Sequence, residues 1–211
     1  MKTDRGIFIT FEGADGVGKS TQANLLCDYF AARGMKVRLT REPGGTFTGE
    51  KVREILLDLK CDMGKRTEAL LYLAVRAEHV DKVVMPELEN GGVVISDRFS
   101  DSTFVYQGVA RGLDIKELAC INAFASSNIQ PDITFLLDAP VEELGGRIAK
   151  RGEEDRIEKE GLAFQKLVRS GFLQMAQKYP DRIIVLDAKK SIDEIQETIR
   201  NNIEKKISGL K

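Results

Sequence analysis

Histidine, cysteine and tryptophan are scarce in this chain of 211 residues, which has one histidine, three cysteines and no tryptophan. Cys27, Cys61 and Cys120 are far apart, no C-x-x-C pair occurs, and His79 is the one histidine that could join them. A structural zinc site is therefore not expected. An odd number of scattered cysteines is typical of free thiols in a reducing compartment, and we expect all three to be free and buried.

An excess of positive charge and long apolar runs are also missing. The chain has 32 Lys and Arg against 33 Asp and Glu, a formal net charge of −1. Binding to nucleic acid or to a membrane surface generally needs a basic excess, so neither partner is expected, although a local group of Lys and Arg could hold a small anion. The apolar runs are too short to cross a bilayer and no signal peptide is recognisable, so we expect a soluble, cytoplasmic protein.

The remaining composition, 42% hydrophobic and 31% charged, is that of a globular protein. Apolar runs such as VVIS, ITFLL and IIVL do not alternate with polar residues, which indicates strands covered on both faces of a parallel sheet. Strands are predicted at Gly6–Glu12, Lys36–Arg41, Gly92–Asp97, Asp132–Asp138 and Arg182–Asp187. Helices are predicted at Lys19–Arg33, Thr48–Leu59, Lys65–Glu89, Ile115–Ser126, Val141–Arg151, Gly161–Lys178 and Ser191–Lys206. This alternation predicts one α/β domain over residues 1–211.

Residues 7–21 read IFITFEGADGVGKST, an apolar strand that runs into a glycine-rich loop. Residues 13–20, the phosphate loop, match G-x-x-x-x-G-K-[ST], in which glycines let backbone N–H groups surround phosphate oxygens. The next helix adds its dipole, Lys19 reaches the β- and γ-phosphates, and Ser20 can ligate Mg²⁺. We therefore predict that ATP is bound by Gly13, Ala14, Asp15, Gly16, Val17, Gly18, Lys19, Ser20 and Thr21.

Other features narrow the type of phosphate-loop protein. No N-K-x-D guanine-reading motif occurs, which argues against a GTPase, and 211 residues leave little room for the insertions of large ATPase motors. The stretch VVISDRFSDS places Asp97 at the end of an apolar strand, as expected for an aspartate near Mg²⁺. Arg98 follows it, and Arg41 ends the second predicted strand at the same carboxyl edge, where open α/β sheets bind ligands.

The chain resembles the bacterial thymidylate kinases over nearly its full length, through FEGADGVGKST, REPGGT, DRF, STFVYQG and RGEEDRIE in that order. The resemblance implies a P-loop nucleoside-monophosphate-kinase fold of three layers, with helices flanking a five-stranded parallel sheet in the order 2-3-1-4-5. It implies that ATP phosphorylates dTMP to dTDP with Mg²⁺, usually in a homodimer. It also implies a short mobile lid at about residues 145–161, where five basic and five acidic side chains crowd together between residues 147 and 161.

The resemblance assigns roles to individual residues. Lys19 and Arg98 would neutralise phosphate charge, Asp15 would orient the acceptor phosphate, and Ser20 and Asp97 would serve Mg²⁺. The residues implied to contact dTMP are Asp15, Arg41, Pro43, Tyr72, Arg76, Arg98, Ser102, Thr103, Tyr106 and Gln107. Tyr72, which is phenylalanine in many relatives, would stack on thymine, Arg76 would reach its exocyclic oxygen, and Tyr106 would favour deoxyribose. His79 matches no motif, and we place it at the helix surface or the edge of the core.

The lid is implied to supply an arginine to the reaction. Some thymidylate kinases carry a catalytic arginine in the phosphate loop, at the position of Gly16, whereas bacterial members supply it from the lid. We expect Arg151 to stabilise transition-state charge and Arg147 to lie against the adenine, with Arg156 as the substitute for Arg151.

Two alternative functions stay open. One is another small P-loop kinase, acting on a deoxynucleoside or a different monophosphate; a nucleoside acceptor would need a base to take its hydroxyl proton, whereas a monophosphate needs arginine clamps. Arg41 and Arg98 favour the monophosphate. The other is a nucleotide-dependent switch, which would bind ATP without phosphoryl transfer and would leave the lid and acceptor motifs unexplained.

Overall fold

The computed structural model describes residues 5–144 and 156–209, and side chains as far as Ile207. Five strands form one parallel sheet: β1 (Ile7–Glu12), β2 (Val37–Arg41), β3 (Val93–Asp97), β4 (Ile133–Asp138) and β5 (Ile183–Asp187). Their order is β2-β3-β1-β4-β5, so the sheet order implied by the resemblance is confirmed. Each strand also begins within one residue of its predicted start.

Helices cover both faces of the sheet, which gives the three layers. They are α1 (Lys19–Ala31), α2 (Phe47–Leu57), α3 (Lys65–His79), α4 (Met85–Glu89), α5 (Ser100–Thr103), α6 (Ile115–Ala125), α7 (Gly161–Lys178) and α8 (Ile192–Gly209). One core cluster joins the sheet to α1 and α8 through side chains such as Phe11, Leu26 and Ile199, and clusters around Phe8 and Phe172 lie elsewhere on the sheet. No helix in the described ranges is both long and apolar enough to span a membrane.

Three predicted features differ from the structure. The single helix predicted at Lys65–Glu89 is interrupted by a π-helical turn at Val80–Val84, just before Pro86, whose ring nitrogen cannot donate the usual helical hydrogen bond. A second π-helical segment, Phe104–Ala110, continues α5 where no helix was predicted. At the predicted helix Val141–Arg151 a 3₁₀ turn covers 141–143, and most of the remainder lies outside the described residues.

The burial expectations hold for the central strands but not everywhere. The side chains of β1 are all buried, whereas the edge strands β2 and β5 carry exposed residues because each has a neighbour on one side only. The expectation of buried cysteines is wrong. All three are free, but Cys27 and Cys61 are partly exposed and Cys120 is exposed on α6.

The parallel register sets the position of the site. β1 and β3 pair so that Phe11 lies opposite Asp97, and β2 pairs with β3 so that Arg41 also lies opposite Asp97. The segments that follow these strands therefore leave the sheet side by side at its carboxyl edge. The phosphate loop, the turn after β2 and the Arg98 segment all start there.

Candidate active site

The phosphate loop between β1 and α1 has a backbone that glycine makes possible. Gly13, Gly16 and Gly18 have φ angles of 132°, 83° and 100°. At Gly13 an added Cβ would lie 2.3 Å from the carbonyl oxygen of Leu137, so a side chain is excluded there. Successive N–H groups can therefore turn inward at the N-terminus of α1, which is the arrangement that binds phosphate.

Lys19 is folded over this loop. Its Nζ donates to the carbonyl oxygens of Gly13 and Ala14, at 3.1 and 2.8 Å, and lies 3.7 Å from the Asp15 carboxylate. Burial lowers the pKa of Lys19 to about 8, and the positive charge of Arg98 adds to the decrease. Phosphate oxygens beside Nζ would favour the charged form, so a triphosphate and Lys19 stabilise each other's charge.

Ser20 and Asp97, the two residues that the sequence suggests for Mg²⁺, lie side by side. The Ser20 hydroxyl, in the first turn of α1, donates a 2.5 Å hydrogen bond to Asp97 at the end of β3. Both groups offer oxygen, the donor atom that Mg²⁺ prefers. Within the described ranges no three His, Cys, Asp or Glu side chains form a group that could hold a metal ion.

Arg98 lies at the centre of the site. Its backbone is left-handed, with φ 75°, and its N–H donates to the Phe11 carbonyl of β1 at 2.9 Å. The guanidinium then donates to Asp15 at 2.8 Å and to the hydroxyls of Tyr106 and Ser102 at 3.1 Å each. The positive charge is thus fixed beside the phosphate loop. A left-handed backbone at a residue other than glycine is strained, and such strain is often found at functional sites.

Glu12 binds the segment that follows Arg98, and the sequence motifs did not indicate this contact. Its buried carboxylate accepts from the Phe99 N–H at 2.8 Å and the Ser102 hydroxyl at 2.6 Å, and lies 3.9 Å from Arg98. Burial and the nearby charge of Asp101 raise the pKa of Glu12 to about 7, against the opposing effect of Arg98. The one signal in the sequence was an acidic residue in an otherwise apolar central strand, directly before the loop.

One pocket opens beside Arg98 and collects nearly all the residues predicted to contact dTMP. Nine of the ten line it: Asp15, Pro43, Tyr72, Arg76, Arg98, Ser102, Thr103, Tyr106 and Gln107. The rest of the lining, which the sequence did not indicate, is Glu42, Arg53, Leu57, Phe99 and Ile157. Eight of these fourteen residues are polar or charged and six are apolar or aromatic, so the pocket offers both a surface for a ring and groups that can bind an anion.

Arg76 is wholly buried at the back of this pocket, although helical periodicity alone would place it at the surface. Its guanidinium contacts the Glu42 carboxylate at 2.7 and 2.9 Å and donates to Thr103 and Asn122 at 2.7 Å each. Burial would raise the pKa of Glu42, but Arg76 and His79 together hold it below the ordinary value. Arg76 is therefore a fixed cation rather than a mobile surface side chain.

The placement of His79 at the helix surface or core edge was wrong. The side chain is completely buried, with Nδ1 2.9 Å from Glu42 and Nε2 2.7 Å from the Thr40 hydroxyl. It faces inward because α3 packs this side against the turn that follows β2. The sequence held no signal for this contact, since Glu42 is 37 residues away.

Arg41 is the predicted dTMP contact that does not line the pocket. Its exposed guanidinium pairs with Glu50 at 2.9 Å, on the side of the sheet edge that carries Ser20 and Asp97. Arg53, from the middle of α2, lines the pocket in its place and donates to the Pro43 carbonyl at 2.8 Å. Arg41 was predicted to contact dTMP because it ends a strand at the carboxyl edge of the sheet, but its side chain lies on the other side of the turn from the pocket.

Arg156, in the predicted lid, is bound by a second buried carboxylate. Glu68 of α3 pairs with Arg156 at 2.7 Å and with Arg111 at 3.1 Å, and accepts from Gln107 at 3.0 Å. The Arg156 Nε also donates to the Leu56 carbonyl at 2.9 Å. These contacts do not support Arg156 as a substitute for Arg151. Arg147 and Arg151 themselves lie outside the described residues.

A second cleft lies on the opposite side of the phosphate loop. Its lining includes Gly16, Gly18, Thr21, Lys190 and Ile192, which bring the loop together with the segment after β5. This cleft and the Arg98 pocket border the same loop from two directions.

Comparisons with known proteins agree with this arrangement. The family model for thymidylate kinase matches residues 11–199. The thymidylate kinase of Thermosipho africanus (strain TCF52B) is 46% identical over 203 residues, covering 96% of this chain and all of that protein. The enzyme of Nitrosospira multiformis is 43% identical, covering 94% of this chain and 97% of that protein. The crystal structure of thymidylate kinase from Ehrlichia chaffeensis superimposes with a TM-score of 0.78 at 34% identity, covering 94% of this chain and 99% of that one.

Proposed function

The chain belongs to the thymidylate kinase family, and we propose that it transfers the γ-phosphoryl group of ATP to dTMP, giving ADP and dTDP. The observation that carries the proposal is the hydrogen bond between Asp15, in the phosphate loop, and Arg98. Both residues also line the pocket beside Arg98, which we call the acceptor pocket. A donor triphosphate on the loop and a monophosphate in the pocket would meet there. The pairing supports in-line transfer between two phosphates.

Charge neutralisation is the main task of the protein in this reaction. Lys19 would contact the donor phosphates, and Arg98 and Arg53 would contact the acceptor phosphate. The acceptor oxygen is already ionised near neutral pH, because the second pKa of a phosphate monoester is about 6. The chain accordingly needs no general base, and its single histidine is buried on Glu42. Positioning and electrostatic stabilisation supply the catalysis.

Ser20 and Asp97 are the residues we propose for Mg²⁺. Their oxygens are neighbours at the phosphate loop, so the two residues would hold a cation that accompanies the β- and γ-phosphates of ATP, with Asp97 acting directly or through water. When bound, Mg²⁺ supplies charge neutralisation on those phosphates. Ser20 and Asp97 would orient it, and Lys19 would hold the same phosphates from the opposite side.

The pocket supports thymidine as the nucleoside. Tyr72 offers an aromatic wall for the base, and Arg76, whose other N–H groups bind Glu42, Thr103 and Asn122, offers its remaining Nη2 N–H to an acceptor such as the exocyclic oxygen of thymine. Tyr106, held by Arg98, lies at 7% exposure where the sugar would pass, which favours deoxyribose over a sugar with a 2′-hydroxyl. The polar groups around the base therefore favour dTMP over cytidine nucleotides, whose amino group would meet the Arg76 donors.

The catalytic arginine is proposed to come from the lid. Arg151 would stabilise the transferring group and Arg147 would lie against the adenine; both lie outside the described residues. Arg151→Ala should lower turnover sharply while dTMP binding stays nearly intact. An equal loss from Arg147→Ala with Arg151→Ala silent would reverse this assignment.

The substrate assignment is tested by a coupled assay of ADP release. Purified protein is given Mg-ATP and one of dTMP, dUMP, dCMP, CMP, UMP or AMP, with thymidine included as a nucleoside acceptor. We expect dTMP to give the highest kcat/KM. Turnover of dTMP no faster than that of CMP, UMP or AMP would refute the assignment. Turnover of thymidine would indicate a nucleoside kinase, and ATP binding without any ADP release would indicate a switch.

A homodimer is proposed from the apolar surface on neighbouring helices. Leu70 of α3 is 55% exposed and Phe124 of α6 is 86% exposed, and α3 and α6 pack side by side. Large exposed apolar patches mark protein interfaces. Sedimentation should show a dimer that Phe124→Lys weakens and that Leu162→Lys, at an exposed leucine on α7, leaves intact. A wild-type monomer would refute the proposed dimer.

A cytoplasmic location is also proposed, and the free cysteines are consistent with it.

A further inference from the structure

His79 lies where three parts of the acceptor side meet: α3, the end of β2 and the turn from Glu42 to Gly45. Both ring nitrogens are engaged, Nδ1 with Glu42 Oε1 at 2.9 Å and Nε2 with the Thr40 hydroxyl at 2.7 Å. The side chain is completely buried. It does not line the acceptor pocket, but Glu42 does, and so do Pro43 of the turn and Tyr72 and Arg76 of α3.

These partners determine the proton positions on the neutral ring. A carboxylate can only accept a hydrogen bond, so Nδ1–H donates to Glu42. Nε2 then accepts from the hydroxyl of Thr40, which can serve as the donor. His79 therefore provides one directed hydrogen bond that fixes the Glu42 carboxylate in the core.

Glu42 passes this constraint to Arg76. Its second oxygen, Oε2, accepts from Arg76 Nε at 2.9 Å and lies 2.7 Å from Nη2. Thr103 and Asn122 accept from Nη1 at 2.7 Å each. Four of the five N–H groups of the guanidinium thus have partners within the described residues, and its rotation and height in the pocket are fixed.

The turn after Glu42 also lies on the histidine. A Cβ added at Gly45 would be 2.9 Å from His79 Cδ2 and 2.6 Å from the Thr40 hydroxyl, so the turn backbone lies in direct contact with this pair. The same turn carries Pro43 into the pocket lining. Moving the ring would therefore shift two walls of the pocket together.

We propose that His79 is a positioning residue for the acceptor nucleotide, acting through Glu42 on Arg76 and through the Gly45 backbone on Pro43. The inference rests on the proposed function of the same pocket. A position that only stabilises the core would alter the melting temperature and leave the affinity for both substrates unchanged. A positioning residue alters the KM for the acceptor and spares the KM for ATP.

The test uses three substitutions at this position. His79→Asn places an amide N–H near the Nδ1 position, His79→Gln places one near the Nε2 position, and His79→Phe offers neither. We expect His79→Phe to raise the KM for dTMP by about tenfold, the effect of misplacing one charged hydrogen-bond group. His79→Asn should recover most of the affinity and His79→Gln little of it, with the KM for ATP within about twofold in all three.

Val80→Ala is the matched control, because Val80 is equally buried, adjacent in sequence and outside the network. It should lower the melting temperature without changing the KM for dTMP. If His79→Phe behaves like Val80→Ala, the proposal is overturned. If His79→Phe does not fold, the order of the other two variants decides, since Gln equal to or better than Asn also overturns it.

The proposed function and the role of His79 are tested independently of each other. If the wild-type protein prefers another monophosphate, the substrate assignment falls and the same comparison of KM values is made with that acceptor. A shift confined to the acceptor KM would then still support His79 as its positioning residue, and no shift would refute it.

Discussion

The donor side and the acceptor side of this site are built in different ways. On the donor side Lys19 bonds to carbonyls five and six residues away, and glycine backbone forms the phosphate cradle. On the acceptor side Arg76 pairs with Glu42 across 34 residues, and Arg98 with Asp15 across 83. The Arg76–Glu42 pair is buried and the Arg98–Asp15 pair is partly buried, and each joins distant segments of the chain, so their geometry exists only after the whole fold has formed.

This difference predicts how each side responds to substitution. A loop made from local backbone can lose a functional side chain and keep its shape. A pocket made from buried charges loses stability and specificity together, because removing one partner leaves the other charge buried and unpaired. Mutations can therefore separate the two sides by comparing activity with the free energy of unfolding.

The largest expected effect is on the donor side. Lys19→Ala should lower kcat by on the order of a thousandfold, since it removes a positive charge held against the transferring phosphates. The free energy of unfolding should change by less than about 1 kcal/mol, because burial lowers the pKa of Lys19 and the cost of burying its charge offsets its contacts with Gly13, Ala14 and Asp15. Kinetics and urea unfolding measure the two quantities, and Lys51→Ala on exposed α2 serves as control.

A large fall in stability for Lys19→Ala would contradict the distinction. It would mean that the buried lysine, and not the glycine backbone alone, holds the phosphate loop in shape.

The second prediction concerns the acceptor side. Glu42→Ala should reduce the free energy of unfolding by about 3–5 kcal/mol, because Arg76 and His79 would lose their buried carboxylate. Urea unfolding at pH 7 gives the value. Glu54→Ala, which removes an exposed partner of Lys51, should cost less than about 1 kcal/mol. Equal effects at the two positions would show that the buried network adds no stability.

The same division explains what the sequence could and could not predict. The strands and the phosphate loop are local patterns of a few residues, and the sequence located them closely. The resemblance also supplied Tyr72, Arg76 and Gln107, all of which line the pocket. The sequence did not indicate that Glu42, although part of REPGGT, would pair with Arg76 and His79, or that Glu68 would pair with Gln107, because a buried polar contact between distant segments has no spacing rule.

Arg41 and Arg53 show most clearly where prediction of the site from the sequence fails. Arg41 was chosen because strand ends meet at the site, but the direction of a side chain at a strand end depends on the pleat and on the next turn. Arg53 lies in the middle of α2, where an isolated arginine in a sequence indicates only an exposed helix face. Its place in the pocket follows from how α2 packs after the Pro43 turn.

The third prediction uses Glu12, which lies between the two sides. The pKa of Glu12 is about 7 in the folded protein, whereas its ordinary value, expected in the unfolded chain, is 4.5. Between these values the folded state binds more protons, so the contribution of Glu12 to stability is complete below about pH 4.5 and is lost as the pH rises to 7.

Glu12→Gln should remove this dependence. Relative to the variant, wild type should lose roughly 2–3 kcal/mol of unfolding free energy between pH 4.5 and 7. Urea unfolding at several pH values measures it, and Glu54→Gln should keep the wild-type profile. A wild-type protein that gains stability relative to Glu12→Gln over this interval would show that the Arg98 charge outweighs burial.

The smallest effect is expected at Arg41. Its ion pair with Glu50 is exposed, with 54% and 41% of the side chains accessible, so Arg41→Met should change the free energy of unfolding by less than about 1 kcal/mol. The KM for dTMP should change by less than about twofold, whereas Arg53→Met should raise it about tenfold, since Arg53 lines the pocket. Steady-state kinetics with dTMP varied at saturating ATP distinguish the two. The opposite order would mean that Arg41 turns into the pocket when the acceptor binds, and the acceptor side would then depend on a mobile surface charge as well as on its buried pairs.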